Sequence, residues 1–180
     1  MYGTEMFLRS LASILVVWVL AACGAHVPSG DYVASVTLDC VPFARALSGV
    51  RLSGDAADWW RQADGRYDRG IAPSIGSVLV LRRSGRLPSG HVAVVSQVLG
   101  ERQILVTQAN WVHSRVSADQ PVIDISAAND WSTVRIWWPP VGGMGITDYP
   151  AYGFIRPDRA ATHDQLIAAT PRAIRLAASE

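Results

Sequence analysis

Apolar residues in the first part of the chain recur at helical spacing. Two sets follow the i, i+3, i+4, i+7 pattern: Cys40, Phe43, Ala44 and Leu47, and then Ala56, Trp59, Trp60 and Ala63. This period places each set on one face of a helix. Gly49 and Gly65 follow the two sets as typical helix stops, and Asp39 is suited to cap the first helix. The pattern therefore predicts two helices, the first of which begins near Cys40.

Beyond residue 76 the pattern changes to short runs that are rich in Val, Ile and Trp. These runs cover residues 77–82, 91–99, 103–110, 134–138 and 152–155. Such runs are typical of β-strands, and Gly100 and Glu101 join the second and third of them at hairpin length. Helices followed by strands indicate an α+β fold with an antiparallel sheet rather than an alternating parallel one.

The N-terminal residues indicate a targeting signal. Arg9 precedes an apolar run over residues 11–20, which is shorter than the roughly 20 residues needed to span a bilayer. The run ends in Leu20, Ala21, Ala22 and Cys23, which resembles the lipobox of bacterial lipoproteins. We therefore predict a signal peptide over residues 1–22, a lipid anchor on Cys23, a tether over 23–35, one folded domain over 36–158 and an Ala-rich tail over 159–180.

The predicted location follows from the same residues. An anchored protein would reside in the bacterial envelope, and Gly24 after Cys23 favours the periplasmic side of an outer membrane if the host has one. An ordinary cleavable signal, with Cys23 paired to Cys40 in a disulfide, is the alternative.

Composition narrows the possible functions. The 180 residues suffice for one domain, and 16 basic and 15 acidic residues are interspersed, so the chain lacks the basic surface of a nucleic-acid binder. Two cysteines and scattered histidines give no zinc spacing, and Asp55 and Asp58 are interpreted as helix caps rather than calcium ligands. We predict no metal and no cofactor, and the sequence does not indicate an oligomeric state.

The candidate chemistry centres on Cys40. If Cys23 carries lipid, Cys40 is the remaining free thiol of an exported protein, and a helix N-terminus lowers a thiol pKa. His91 opens a predicted strand, which would hold its ring rigidly enough for a general base, whereas His113 follows a strand on a loop. Gln108 and Asn110 are two residues apart on the neighbouring strand, so either can reach the imidazole.

The tryptophans divide into two groups. Trp59, Trp60, Trp137 and Trp138 are predicted to pack in the core or on the sheet rather than to form a platform for sugars. Trp111 follows Asn110 directly and is a candidate to line the cleft and stack on a substrate.

Five segments together resemble the CHAP family. They are, in order, DCVPFA (39–44), GDAADWW (54–60), PSIGSVLV (73–80), GHVAVV (90–95) and QANW (108–111). The family consists of cysteine- and histidine-dependent amidohydrolases and peptidases with a papain-like core, many of which cut peptidoglycan. The resemblance extends to residues 152–155 and implies Cys40 as nucleophile, His91 as base, and Asn110 as the residue that orients the histidine.

One residue departs from the family pattern. Many members carry Glu where this chain has Gln108, and a neutral amide stabilises an imidazolium less than a carboxylate does. Gln108 can instead serve near the oxyanion, or Asn110 can suffice, as an Asn does in papain-like proteases.

Two alternatives remain open at the level of sequence. An NlpC-type endopeptidase would share the Cys and His roles, although its usual Asp-Cys-Ser-Gly start is absent. A catalytically weak or inactive CHAP-like envelope protein would bind cell-wall peptide or a protein partner without cutting it. The sequence does not indicate which amide bond is cut.

Overall fold

The computed structural model describes residues 31–35 and 38–180. The predicted signal peptide, the predicted lipidation site at Cys23 and the beginning of the predicted tether lie outside the described residues. Within the described ranges, no helix is long and apolar enough to cross a membrane.

In the part of the chain that the structure describes, there are three α-helices and two short 3₁₀ helices. They are α1 (Cys40–Ser48), α2 (Trp59–Gln62) and α3 (His163–Ala177), with 3₁₀ turns at Ala56–Asp58 and Pro139–Val141. Helix α1 ends, as predicted, at Gly49, which adopts a left-handed conformation with φ of 79°. The predicted second helix forms as a 3₁₀ turn that runs directly into α2, and the backbone N–H of Ala57 in its first turn donates to the carbonyl of Ser89.

Nine strands are present among residues 31–35 and 38–180. They are β1 (Asp31–Ser35), β2 (Asp68–Gly70), β3 (Val78–Leu81), β4 (His91–Gly100), β5 (Gln103–Ala109), β6 (Arg115–Asp124), β7 (Thr133–Trp138), β8 (Gly143–Met144) and β9 (Tyr149–Arg156). All pairings are antiparallel, and the chain is a mixed α+β protein.

The sheet closes on itself. Strand order runs β6, β5, β4, β3, β9, β7, and β7 pairs again with β6 between Val122 and Ile136. The result is a six-stranded antiparallel barrel, a closure that the sequence does not reveal. Closure leaves these strands without a long exposed edge.

Strand β6 is the main element that the sequence pattern missed. It carries Pro121, which cannot donate a ladder hydrogen bond and normally argues against a central strand. On its second side, β6 pairs with β1 as far as Ala118 and with β7 from Val122 onward, so Pro121 falls in the gap between these two partners. The missing N–H of Pro121 therefore removes no hydrogen bond to β1 or β7.

Both termini of the described chain differ from the sequence-based boundaries. Residues 31–35, assigned to the tether from their composition, form β1 on the edge of β6. The Ala-rich tail contains α3, which is opened by a capping box between Thr162 and Gln165 and packs against α1. Leu166 and Ala173 of α3 belong to the same apolar core as α1.

Two apolar cores result from strand alternation. Even-numbered residues of β3 and β4, such as Val80 and Val92, face the helices, whereas odd-numbered residues such as Leu81 and Ala93 fill the barrel. His91 follows the odd-numbered series at the start of β4. The fold thus places the imidazole at one end of the barrel, next to the beginning of α1.

Candidate active site

Cys40 is the first residue of α1 and is half-buried with a free thiol. The helix places its N-terminal backbone dipoles at the sulfur. The sequence suggested that the side chain of Asp39 caps the helix, but this side chain makes no capping hydrogen bond. Its Oδ1 accepts a hydrogen bond of 3.1 Å from Nδ2 of Asn110, which links the residue before the thiol to the end of β5.

Gly90 lets the backbone before His91 pass close to Leu81 and Ala57, which positions His91. It has φ of +74°, and a Cβ at this position would lie 2.6 Å from the carbonyl oxygen of Leu81 and 2.7 Å from the Cβ of Ala57. A side chain would therefore push β4 away from β3 and from the 3₁₀ turn beside the cleft. His91 itself is only 4% exposed, so its ring is held by packing on most sides.

A buried chain of amides holds the imidazole of His91. Its Nε2 lies 2.9 Å from Oε1 of Gln108, and Nε2 of Gln108 donates to Oε1 of Gln120 over 2.6 Å. Because Gln108 donates to Gln120 through its nitrogen, its oxygen is directed at the ring and accepts the Nε2–H proton. The other ring nitrogen, Nδ1, is left for Cys40.

Cys40 and His91 each shift the pKa of the other towards its charged form. Burial raises the pKa of the Cys40 thiol, but the charge and hydrogen bond of His91 and the backbone N–H of Val92 outweigh it, so the pKa is lowered. Burial lowers the pKa of His91, but the attraction and hydrogen bond of Cys40 and the hydrogen bond of Gln108 raise it overall. Thiolate and imidazolium therefore stabilise each other.

Asn110 lies at the mouth of the site and does not contact the imidazole in the manner of Gln108. Strand β5 ends at Ala109, and Asn110 adopts φ of 60°, so strand alternation breaks there. Its Oδ1 accepts from the backbone N–H of Ser114 and its Nδ2 donates to Asp39. The expectation that Gln108 and Asn110 share one strand face is therefore wrong, and the catalytic role of Asn110 stays a prediction.

Trp111 packs against the imidazole of His91. Its ring centroid lies 5.1 Å from that of His91, and its Nε1 donates to the carbonyl of Trp137. Trp59 is fully buried, as predicted from its helical spacing, whereas Trp138 is 37% exposed. Trp138 is the last residue of β7, where the chain turns into a hairpin, and its ring packs edge to face on that of Trp111.

The thiol and the imidazole open into a cleft of about 480 Å³. Its walls come from the start of α1, the loop before the first 3₁₀ turn, and residues 86–91. Asp55 on one wall forms an ion pair with Arg83. Arg83 also pairs with Asp58, and its hydrogen bond lowers the pKa of the Asp58 carboxyl. These contacts replace the capping role that the sequence suggested for both carboxylates.

Sequence reasoning missed Gln120 and Arg86. Gln120 lies in the unpredicted strand β6, and only its contact with Gln108 indicates a function. Arg86 lines the cleft from an exposed turn, which carries no periodic signal. Within residues 38–180, no three His, Cys, Asp or Glu side chains gather as a metal site would require.

Comparison with family models matches residues 29–110 to the CHAP domain. A search among curated proteins finds no match. The matched span contains Cys40, His91, Gln108 and Asn110 and ends with the last of them. Gln120 and the strands from β6 onward lie beyond it.

Proposed function

Because residues 29–110 belong to the CHAP domain family, we propose that the protein is a cysteine amidohydrolase or endopeptidase that acts on peptidoglycan peptides. The family is typically cysteine- and histidine-dependent, which supports the class of reaction. The single observation that carries the proposal is the mutual stabilisation of Cys40 and His91 at the base of an open cleft. A thiolate held at the start of a helix is a competent nucleophile for an amide carbonyl.

The first half of the reaction forms an acyl-enzyme. The Cys40 thiolate attacks the carbonyl carbon, and the resulting oxyanion is stabilised by backbone N–H groups at the start of α1. Pro42 has no N–H, so the available donors are those of Cys40 and Val41. The imidazolium of His91 then transfers its Nδ1 proton to the leaving amine as the C–N bond breaks.

The second half returns the enzyme to its starting state. Neutral His91 accepts a proton from water, the hydroxide attacks the thioester, and the carboxylate product leaves as the thiolate re-forms. Throughout, Gln108 holds the Nε2–H, which keeps Nδ1 directed at the sulfur and the incoming water. A neutral amide fixes the tautomer without adding a charge, so the thiolate supplies most of the electrostatic stabilisation of the imidazolium.

Digestion of purified muropeptides tests this proposal. We expect the protein to release one new amine and one new carboxylate for each amide cut, and mass spectrometry of the products identifies the bond. Pretreatment with iodoacetamide provides the control, because an alkylated thiol cannot attack. Intact muropeptides after incubation with untreated, folded protein would exclude the proposed activity and favour a binding protein.

We also propose that Cys23 carries a lipid that anchors the protein in the bacterial envelope. The sequence of residues 20–23 supports this location, and acyl chains contribute about 0.8 kcal/mol per buried methylene to membrane binding. Radiolabelled palmitate should be incorporated into the protein in cells and should disappear in the Cys23→Ala variant. An unlabelled original protein would contradict the anchor.

A further inference from the structure

A groove lined by aromatic side chains adjoins the active-site cleft. We define the aromatic groove by Arg86, Trp111, Ile136, Trp138, Ile146 and Tyr149. Trp111 contacts both other aromatic rings edge to face, with centroid distances of 6.3 Å to Trp138 and 5.1 Å to Tyr149. These contacts hold the three rings in fixed orientations around a concave surface.

The aromatic groove and the active-site cleft adjoin each other. Arg86 lines both, and Trp111, which lines the groove, has its ring centroid 5.1 Å from that of His91. The ring of Trp111 is thus the partition between the imidazole and the groove. A ligand in the groove would lie one ring away from the group that protonates the leaving amine.

The chemistry of the aromatic groove favours a ligand with both apolar and polar faces. Trp138 is 37% exposed and Ile146 is 90% exposed, so apolar surface is presented to solvent beside the cleft. Arg86 is exposed, and no ion pair or hydrogen bond is found for it among residues 38–180. Its guanidinium offers five N–H donors for hydroxyl and carbonyl oxygens next to the aromatic surface.

A pyranose ring has this combination of faces. Its axial C–H bonds form an apolar surface that stacks on the electron-rich face of an indole, while its hydroxyl and acetamido oxygens lie at the rim. The groove encloses about 270 Å³, which is below the range of about 300–1,000 Å³ for pockets that hold drug-sized ligands. It therefore suits one sugar ring rather than a long segment of a glycan strand.

We propose that the aromatic groove binds the sugar that bears the substrate peptide. This inference rests on the proposed action on peptidoglycan peptides and adds the position of the cut. With the sugar stacked beside Trp111, the amide nearest to Cys40 is the one that joins the sugar's lactyl group to the first amino acid. The protein then hydrolyses the sugar–peptide junction and releases an intact stem peptide.

Equilibrium binding to the Cys40→Ala variant tests the groove without requiring catalysis. The probes are a disaccharide pentapeptide and the free pentapeptide of the same sequence, measured by calorimetry. We expect the disaccharide form to bind about fivefold more tightly, since stacking on one indole is worth roughly one kcal/mol. Equal dissociation constants for the two probes would overturn the inference.

Matched variants assign the preference to Trp138. Added to the Cys40→Ala variant, Trp138→Leu should abolish the preference for the disaccharide form, whereas Trp138→Tyr, which retains an aromatic face, should keep most of it. Val141→Ser is the matched control, because it changes a side chain that is 71% exposed on the same hairpin but outside the groove. It should leave the dissociation constants of both probes unchanged. Full retention of the preference in Trp138→Leu would contradict the proposed site.

Two further outcomes separate this inference from competing ones. Binding to phospholipid vesicles with no preference for the disaccharide probe would assign the exposed hairpin to a membrane surface and overturn the inference. With the original protein, products cut within the stem would also overturn it while leaving the amidohydrolase proposal intact. A disaccharide preference without any hydrolysis would support the groove and exclude the enzyme.

Discussion

Replacing Cys40 by serine should lower kcat for muropeptide hydrolysis by a factor of about 10⁴ or more. Serine keeps the size of the side chain and its position at the start of α1, but its hydroxyl does not ionise beside His91. The paired stabilisation of thiolate and imidazolium is therefore lost at the first step. Initial rates from chromatographic separation of the products measure the change.

Cys23 supplies the matched control for this substitution, because it is the other cysteine of the chain. Cys23→Ser should leave the rate per mole of purified protein unchanged. Circular dichroism of Cys40→Ser should match that of the original protein, since the hydroxyl occupies the half-buried site of the thiol. A Cys40→Ser rate within tenfold of the original would refute the nucleophile assignment.

Replacing Gln108 by leucine should lower kcat by about 10²-fold or more, with a smaller effect on KM. The substitution removes the acceptor of the His91 Nε2–H, so nothing fixes the tautomer that directs Nδ1 at Cys40. It also leaves Oε1 of Gln120 without its donor in a fully buried position. Steady-state kinetics, measured together with the urea midpoint of unfolding, separate the catalytic effect from the effect on stability.

Gln108→Glu is the informative partner of this variant. It keeps an acceptor at the ring and adds a negative charge, which should raise the pKa of His91 further and extend activity to higher pH. Gln103→Leu, on the same strand but away from the site, should change kcat little. If Gln108→Leu retained activity within a few-fold of the original, the amide chain would have no positioning role.

The local parts of the site could be predicted from the sequence. Helical spacing and Gly49 locate α1 with Cys40 at its start, and the run after Gly90 locates β4 with His91 as its first residue. Each of these features depends on residues within about ten positions of one another. Hairpin length joins β4 to β5, which places Gln108 near His91 without any knowledge of the barrel.

The remaining parts depend on contacts between distant segments. The register of β4 and β5, continued past the end of β5, would place Asn110 opposite His91. However, Asn110 has a left-handed backbone conformation and lies outside the strand. The imidazole is instead contacted by Gln108, which lies diagonally across from His91 on β5. Gln120 belongs to the site because β6 brings it there. The sequence does not predict β6, because this strand contains a proline and mixes polar with apolar residues. The aromatic groove likewise requires β7 and β9 to bring Trp138 and Tyr149 beside Trp111, a pairing without any local signal.

Buried amides in place of a carboxylate make the site depend on its own ion pair. Because the orienting residue Gln108 is neutral, the charge that favours protonated His91 comes mainly from Cys40. In the same way, the charge that favours ionised Cys40 comes mainly from His91. The two groups therefore titrate as a coupled pair, with one apparent pKa below that of an ordinary thiol and the other above that of an ordinary imidazole. Both shifts favour the thiolate–imidazolium form over the neutral pair.

The pH dependence of thiol alkylation tests this state of Cys40 most directly. The Cys23→Ala variant is treated with iodoacetamide, which reacts with the thiolate, and the rate is followed by intact mass in the folded protein and in urea. Because folding lowers the pKa of Cys40, the folded protein should keep reacting as pH falls through the range in which the unfolded thiol becomes protonated. A folded-state midpoint at or above the value in urea would contradict the thiolate–imidazolium pair, and with it the proposed mechanism.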